Sequence, residues 1–321
     1  MRRVQIVISF LAVLFATSLF ASEQPRFAYL VSDQRIPYWN IMWSGIQHQA
    51  QQQGIEVEVW SADNSIKKEL ENTAQVIKRK VDGIILSPTN SSSAVTVLKF
   101  AKQAGIPVVI ADIGTQGGDY VSYIESDNYQ GAYQLGNIVG QALADKAWLE
   151  GRVGIVAIPQ SRQNGKDRTR GFLKALDEWE IKAGGIRQQK DFSYIETYRL
   201  AWELISEEPD LRALWLQGSD RYKAALAAIE DAGKVGEILL ICFDAEPEFL
   251  EMIKSQAIVG AGMQQPHLMG ERAVQSLQKF LNGHAVAKNQ KVEVLAVAEN
   301  NIDALMLTIK QNVLGLSVSE E

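Results

Sequence analysis

Short, continuous apolar segments alternate with helical patterns along most of this chain. The segments 27–31, 83–86 and 108–110 have the composition of strands that are buried on both faces. Between them, apolar residues recur at helical spacing, as in the segment that Pro37 opens and Gly54 ends. This alternation predicts parallel sheets with helices on both faces.

The same alternation returns after a long helical pattern over residues 129–147. Further strands are predicted at 153–157, 213–216, 238–243 and 258–261, and further helices at 166–178, 195–206, 220–231 and 267–282. These are too many strand–helix units for one modest sheet, and 321 residues are natural for two domains. The residues alone leave two architectures open, namely two α/β lobes or one eight-fold barrel.

The N-terminus has the pattern of a secretory signal. Arg2 and Arg3 precede an uncharged, mostly apolar segment over 4–22, and small residues follow near Ala21. We expect cleavage after Ala21 and a periplasmic location. A retained membrane anchor is the alternative, because the segment is just long enough to span a bilayer. No later segment approaches that length.

Several classes of protein are disfavoured by composition and motifs. The formal charge of −6 argues against a nucleic-acid groove. The single cysteine, Cys242, allows no intramolecular disulfide, and its place in an apolar strand predicts a packed, inert thiol. The chain lacks the GxxxxGK, HExxH and GxSxG patterns. We therefore expect neither an enzyme nor a cofactor nor a metal site, although spacing alone leaves a barrel hydrolase open.

Polar residues follow the predicted strands at their carboxyl ends. Ser87 and Asp112 come after strands of the first half, and Asp244 and Gln264 after strands of the second half. In open α/β sheets, ligands bind beyond the carboxyl ends of the strands. A single acid at such a place is usually a cap or a turn former, but several converging polar groups predict a ligand cleft.

Eight segments, taken in order, resemble the type I periplasmic binding proteins of the ribose-binding class, whose fold the lactose-repressor family also uses for its effector domain. They run from about Phe27 to Val297 and read LVSDQRIPYWNIMWSGIQHQAQQQGIEV, DGIILSPTNSSSA, AGIPVVIADIG, YIESDNYQGAYQLG, KDRTRGF, DFSYIE, LICFDAEPE and VGAGMQQPHLMGERAV.

The resemblance implies an α/β fold of two doubly wound parallel-sheet lobes joined by a three-strand hinge. The crossings are expected near 126–127, 264–265 and 293–294. The predicted division is a signal peptide over 1–21, an N-terminal lobe over 22–126 plus 265–293, a C-terminal lobe over 127–264 plus 294–308, and a C-terminal tail over 309–321.

The resemblance also implies the ligand positions. In the first lobe they are Ser32, Tyr38, Trp39, Ser87, Asp112 and Ser126. In the second lobe they are Arg168, Phe192, Gly218 and Asp244, with Gln264 at the hinge. Two further charges at the mouth of the cleft, Asp33 and Arg35, are candidate contacts, with a solvated surface pair as the alternative.

These residue types suit a carbohydrate. Carboxylates such as Asp112 accept hydrogen bonds from neighbouring hydroxyls, and Arg168 offers a fixed fork of donors. The face of Tyr38 can cover the C–H face of a sugar ring, whereas Trp39 lies on the apolar helix face and is equally suited to the core. The family often has Asn where this chain has Ile36, Ser87 and Gly218, so the pocket is expected to differ from a ribose pocket.

The predicted function is that of an exported solute-binding protein. It would trap a small polar ligand, a monosaccharide or derivative, and present it to the membrane permease of an ABC importer. The alternative is a ligand-sensing subunit of a membrane sensor histidine kinase. We expect a monomer that does not bind nucleic acid, because a repressor would need an N-terminal helix-turn-helix where this chain has an export signal.

Overall fold

The computed structural model describes residues 24–316, so the predicted signal peptide and the last five residues of the predicted tail lie outside the described residues. Twelve strands form two separate six-stranded sheets in this part of the chain. The predicted fold class is confirmed, and the eight-fold barrel is wrong, because a barrel requires a single closed sheet.

The strands are β1 (Arg26–Val31), β2 (Glu56–Ser61), β3 (Gly83–Ser87), β4 (Val108–Ala111), β5 (Ser122–Ser126), β6 (Arg152–Ala157), β7 (Lys182–Gln188), β8 (Leu211–Leu216), β9 (Leu239–Phe243), β10 (Gly260–Met263), β11 (Asn289–Val292) and β12 (Leu295–Val297). The first sheet has the order β11-β5-β4-β3-β1-β2 and the second has β12-β10-β9-β8-β6-β7. All pairs are parallel except β10 with β12.

The helices are α1 (Pro37–Gln52), α2 (Ile66–Lys78), α3 (Ser93–Gln103), α4 (Asn128–Asp145), α5 (Gln163–Glu178), α6 (Tyr194–Glu207), α7 (Tyr222–Asp231), α8 (Phe249–Lys254), α9 (Pro266–Leu281) and α10 (Ile302–Thr308), followed by a short π-helix (Ile309–Val313). No helix in residues 24–316 has the length and apolar character needed to cross a membrane.

The chain passes between the two sheets three times. It leaves the first sheet after Ser126, returns to it after Met263, and crosses again between Val292 and Leu295. These crossings form the three-strand hinge that the fold class implies. The exact lobe boundaries given above stay a prediction. The first part of the predicted tail is packed, since Ile309 and Val313 are buried in the core of the second lobe.

Each lobe has an apolar core on both faces of its sheet, and the strands explain why. The five residues of β3 and the four of β4 are all buried, as continuous apolar strands in a covered parallel sheet should be. In the second lobe Phe172 stacks on Trp215 with ring centroids 3.9 Å apart. Cys242 is fully buried in this lobe. The two sheets are thereby rigid supports for the loops at their carboxyl ends.

Candidate ligand-binding cleft

The candidate cleft lies where the carboxyl ends of the two sheets face each other. Asp112 follows β4 in the first lobe, and Asp244 follows β9 in the second. Asp112 is buried, at 2% exposed, and the side chain of Asp244 is 17% exposed. The cleft therefore has a buried acid on one side and a half-buried acid on the other.

Asp112 receives hydrogen bonds from both lobes. The Tyr38 hydroxyl donates to Oδ1 over 3.0 Å, and the Asn164 amide donates to Oδ2 over 3.2 Å. Burial raises the pKa of Asp112 to about 6, the charge of Arg168 opposes this rise, and the charge of Asp244 adds to it. The Asp112 carboxylate is thus a buried hydrogen-bond acceptor, and further donors such as ligand hydroxyls would stabilise its ionised form.

Arg168, on α5, supplies the positive charge at the centre of the cleft. Its Nε donates to Asn128 Oδ1 over 2.8 Å, and Nη1 donates to the Gln217 carbonyl over 2.6 Å. Its guanidinium lies 3.9 Å above the ring centroid of Phe243 and 3.8 Å from Asp244 Oδ2. These contacts hold the fork of donors in one orientation.

Asp244 mirrors Asp112 on the second lobe. Burial raises its pKa, whereas the charge of Arg168 and a hydrogen bond from the Gln264 amide lower it. Gln264 lies at the second crossing between the sheets. The predicted hinge residue Gln264 is therefore in contact with a predicted ligand acid.

The two lobes are in direct contact across the cleft, so the structure is a closed form. Arg162, just before α5, donates from Nε to the Thr89 carbonyl over 3.1 Å and from Nη2 to Asn64 Oδ1 over 3.0 Å. The backbone N–H of Gln163 donates to Ser91 Oγ over 3.1 Å. Together with the Asn164–Asp112 bond, these contacts join the start of α5 to the first lobe.

The other predicted positions in the first lobe have differing surroundings. Trp39 is buried in the core of the first lobe and meets Tyr38 edge to face at 4.9 Å. Ser87 accepts from the Tyr29 hydroxyl over 3.1 Å, and Ser126 donates to the sulfur of Met269 over 3.5 Å. Ser87 and Ser126 are thus buried and already bonded.

The charged pair at the cleft mouth divides between buried and exposed. Asp33 is buried, and it accepts a bidentate pair of bonds from Arg35, at 2.8 and 2.6 Å. The Arg35 side chain is 68% exposed. The two side chains form an ion pair at the rim with Asp33 on its buried side, and their contact with a ligand stays a prediction.

In the second lobe, Phe192 lies beneath the guanidinium of Arg162, whose carbon is 5.3 Å from the ring centroid. Gly218 leaves room beside it, because an added Cβ would come no nearer than 3.5 Å to the Asp220 carboxylate. Within residues 24–316, buried polar atoms at two predicted site positions have no hydrogen-bond partner: Ser32 Oγ and Gln264 Oε1. Such atoms favour a polar ligand, since a buried polar group is normally bonded.

Sequence reasoning missed four polar residues of the cleft. They are Arg162, Asn164, Gln217 and Asp220. Burial lowers the pKa of Arg162 to about 10 and raises that of Asp220 to about 6. Arg162 and Asn164 flank the start of α5, and Gln217 and Asp220 flank Gly218. The strand-end rule, extended a few residues further after β6 and β8, would have found them.

Known proteins resemble this chain over most of its length. The model of the periplasmic binding protein domain matches residues 27–285. A ribose import binding protein of Haemophilus influenzae is 28% identical, over 88% of this chain and 95% of that protein. The ribose import binding protein of Escherichia coli is 27% identical, over 93% of this chain and 99% of that protein.

The fold is also that of solved structures. A periplasmic solute-binding protein of an ABC transporter from Actinobacillus succinogenes, with bound D-allose, superposes with a TM-score of 0.80. It is 22% identical, and the match covers 88% of this chain and all of that one. At this identity the match supports the two-lobed fold and no ligand.

Proposed function

This chain belongs to the periplasmic binding protein domain family, and we propose that it binds a monosaccharide or a close derivative in the periplasm and presents it to an ABC importer. The two ribose import binding proteins support a role in sugar import, and they are binding proteins rather than enzymes. We further propose that cleavage after Ala21 releases the protein and that it acts as a monomer.

One observation supports the ligand class above the others. A buried carboxylate, Asp112, and a half-buried one, Asp244, lie on opposite lobes, and the guanidinium of Arg168 lies 3.8 Å from Asp244 Oδ2. A carboxylate accepts hydrogen bonds from two neighbouring hydroxyls, and a guanidinium donates to hydroxyl or ring oxygens. A small polyhydroxylated molecule satisfies both kinds of group at once.

The presentation step follows from the two-lobed geometry. A ligand that contacts both lobes binds the closed form more tightly than the open form, so it shifts the population toward closure. A permease that binds the closed form then receives loaded protein. A sensor kinase would use the same shift, and the relatives' role in import favours the permease.

A thermal-shift screen over pentoses, hexoses, polyols and sugar acids tests the ligand class. We expect one sugar to raise the melting temperature, since a ligand at a hundredfold excess over its Kd adds about 2.7 kcal/mol to the free energy of unfolding. Calorimetry should then give one site per chain.

The matched variants are Arg168→Gln in the cleft and Arg170→Gln on the exposed side of the same helix. Circular dichroism checks that the Arg168 variant is folded. The folded Arg168 variant should lose the thermal shift with the sugar, and the Arg170 variant should keep it. A panel without any active sugar, or an equal shift in both variants, would refute the proposal.

A further inference from the structure

Two helices of the first lobe bring nitrogen and oxygen ligands together away from the cleft. His48 lies on α1, and His267 and Glu271 lie on α9. His48 Nδ1 is 2.7 Å and His267 Nδ1 is 3.7 Å from Glu271 Oε1. One candidate ligand atom from each of the three side chains lies within 4.8 Å of the other two, and no other such group occurs in residues 24–316.

The proposed sugar site does not use this cluster. His48 is ten residues beyond Tyr38 on the same helix, which is ~15 Å along the axis. The two histidines are 219 residues apart in sequence, and only the packing of α1 on α9 brings their rings to 5.7 Å. The cluster is therefore a separate feature of the first lobe.

The backbone holds the two helices at a fixed, short separation. An added Cβ at Gly45 would lie 2.1 Å from the His267 carbonyl oxygen, and one at Gly270 would lie 2.3 Å from the Met42 carbonyl oxygen. Helices this close cannot drift apart without losing their contact. The packing of α1 on α9 thus brings the three candidate ligand side chains together before any ion binds.

We propose that His48, His267 and Glu271 bind a zinc-type divalent cation, with solvent in the fourth position. Two imidazoles and one carboxylate are ligands that Zn²⁺ accepts, at distances of about 2.0–2.2 Å. Neighbouring ligand atoms in such a tetrahedron are about 3.3 Å apart. Small side-chain rotations would bring the three atoms to that spacing, and the His48 side chain, 51% exposed, has room for them.

A second group supports the orientation of the exposed ligand. The Gln52 amide lies 3.1 Å from His48 Nε2, the ring nitrogen that faces away from Glu271. Histidines that bind metals usually bond their other nitrogen to such a partner, which fixes the ring. When a metal binds His48 Nδ1, the ring proton lies on Nε2. A 180° rotation of the Gln52 amide then places its oxygen where it accepts a hydrogen bond from that N–H.

The expected consequence is a cross-link between α1 and α9 that stabilises the first lobe. Titration of the untagged mature protein with ZnCl₂ should show one site by calorimetry and a rise of about 5 °C in melting temperature at a hundredfold excess over Kd. MgCl₂ should have no such effect, because imidazoles are poor ligands for hard cations.

The chain supplies a matched control in its third histidine, the exposed His284. His48→Ala should weaken zinc binding at least tenfold, and His284→Ala should leave it unchanged. His48 is exposed, so replacing it with Ala should leave the fold intact. Glu271→Gln should weaken zinc binding in the same way.

Three results would overturn the site: no calorimetric binding of zinc to the wild type, equal affinity in the His48 variant, or an equal thermal shift with magnesium. Sugar binding is measured separately on the same samples. A protein that binds no sugar would therefore still test the zinc site, and a protein that binds no zinc would still test the proposed sugar site.

Discussion

At the scale of single residues, the two cleft acids share an unusual backbone. Asp112 and Asp244 have φ values of 67° and 69°, and each follows the last residue of a buried strand. The N–H of Asp112 donates to the Ile124 carbonyl of β5, and that of Asp244 donates to the Gly262 carbonyl of β10, both over 2.9 Å. Asp and Asn adopt this left-handed conformation with little strain, whereas Ala does not. Asn is therefore the substitution that tests the charge without disturbing the backbone.

Asp112→Asn should change how stability depends on pH. The folded pKa of about 6 lies above the unfolded value of 3.8, so Asp112 favours folding below pH 4, and this contribution is lost as the pH rises through 6. The ionised group costs about 3 kcal/mol at pH 7.5 relative to acid pH. The variant should lose this pH dependence, so its stability should differ less between pH 5 and pH 7.5 than that of wild type, as measured by urea denaturation.

The control for this comparison is Asp177→Asn, at an exposed carboxylate of α5. It should leave the pH profile unchanged. The same Asp112 variant should bind the sugar more weakly, because an amide accepts fewer hydrogen bonds from hydroxyls than a carboxylate does. A wild-type pH profile in Asp112→Asn would mean that the carboxylate is not desolvated as the structure has it.

The sequence identified the acids of the cleft but not the contacts between its lobes. Asp112 and Asp244 stand directly at strand ends, and the resemblance placed Arg168, so all three were predictable. Arg162 and Asn164 lie in a polar segment without periodicity, and their partners are in the other lobe. Their role depends on how the lobes approach each other, which no local pattern in the sequence encodes.

At the scale of elements, glycines let a pair of helices approach closely in each lobe. In the second lobe, an added Cβ at Gly171 on α5 would lie 2.1 Å from the Tyr129 carbonyl oxygen on α4. Gly45 and Gly270 do the same for α1 and α9 in the first lobe. These glycines permit the close approach that sets the direction in which α1 and α5 reach the cleft.

Gly270→Ala should destabilise the protein, although Ala is the better helix former. Its Cβ would lie 2.3 Å from the Met42 carbonyl oxygen and 2.9 Å from the Ile46 nitrogen, and neither backbone atom can move alone. Forced separation of α1 and α9 should cost about 1–3 kcal/mol in the free energy of unfolding. Lys279→Ala, at an exposed position of α9, is the control and should change it by less than about 0.5 kcal/mol. Equal stabilities in urea would show that the helices tolerate a wider spacing.

The sequence predicted the central strands but missed the edge strands β7 and β11. The strands β3, β4 and β9 are short apolar runs, so burial on both faces identifies them. The edge strand β7 (KAGGIRQ) contains two glycines and is largely exposed, and β11 (NQKV) is mostly polar. An edge strand is stabilised by its neighbour's hydrogen bonds more than by its own side chains, so it leaves little trace in the sequence.

At the scale of the whole molecule, a few side-chain contacts join the two lobes in addition to the three crossings. The start of α5 does so through Arg162, which reaches the Thr89 carbonyl and Asn64 of the first lobe. Arg162 is buried between the lobes, and this burial of a charged group lowers its pKa. The hydrogen bonds of Arg162 must offset the cost of that burial.

Arg162→Ala should therefore shift the protein toward the open form and weaken sugar binding. Hydrogen bonds from a charged donor contribute about 1.5–3 kcal/mol, so the affinity for the sugar identified by the screen should fall about ten- to a hundredfold. Small-angle X-ray scattering without ligand should give a larger radius of gyration than wild type. The control is Arg170→Ala, whose side chain is 69% exposed and bonds to Asp167 on its own helix. It should match wild type in both measurements. If Arg162→Ala also matches wild type in scattering and affinity, the contacts between the lobes do not govern closure, and the balance must be set by the hinge.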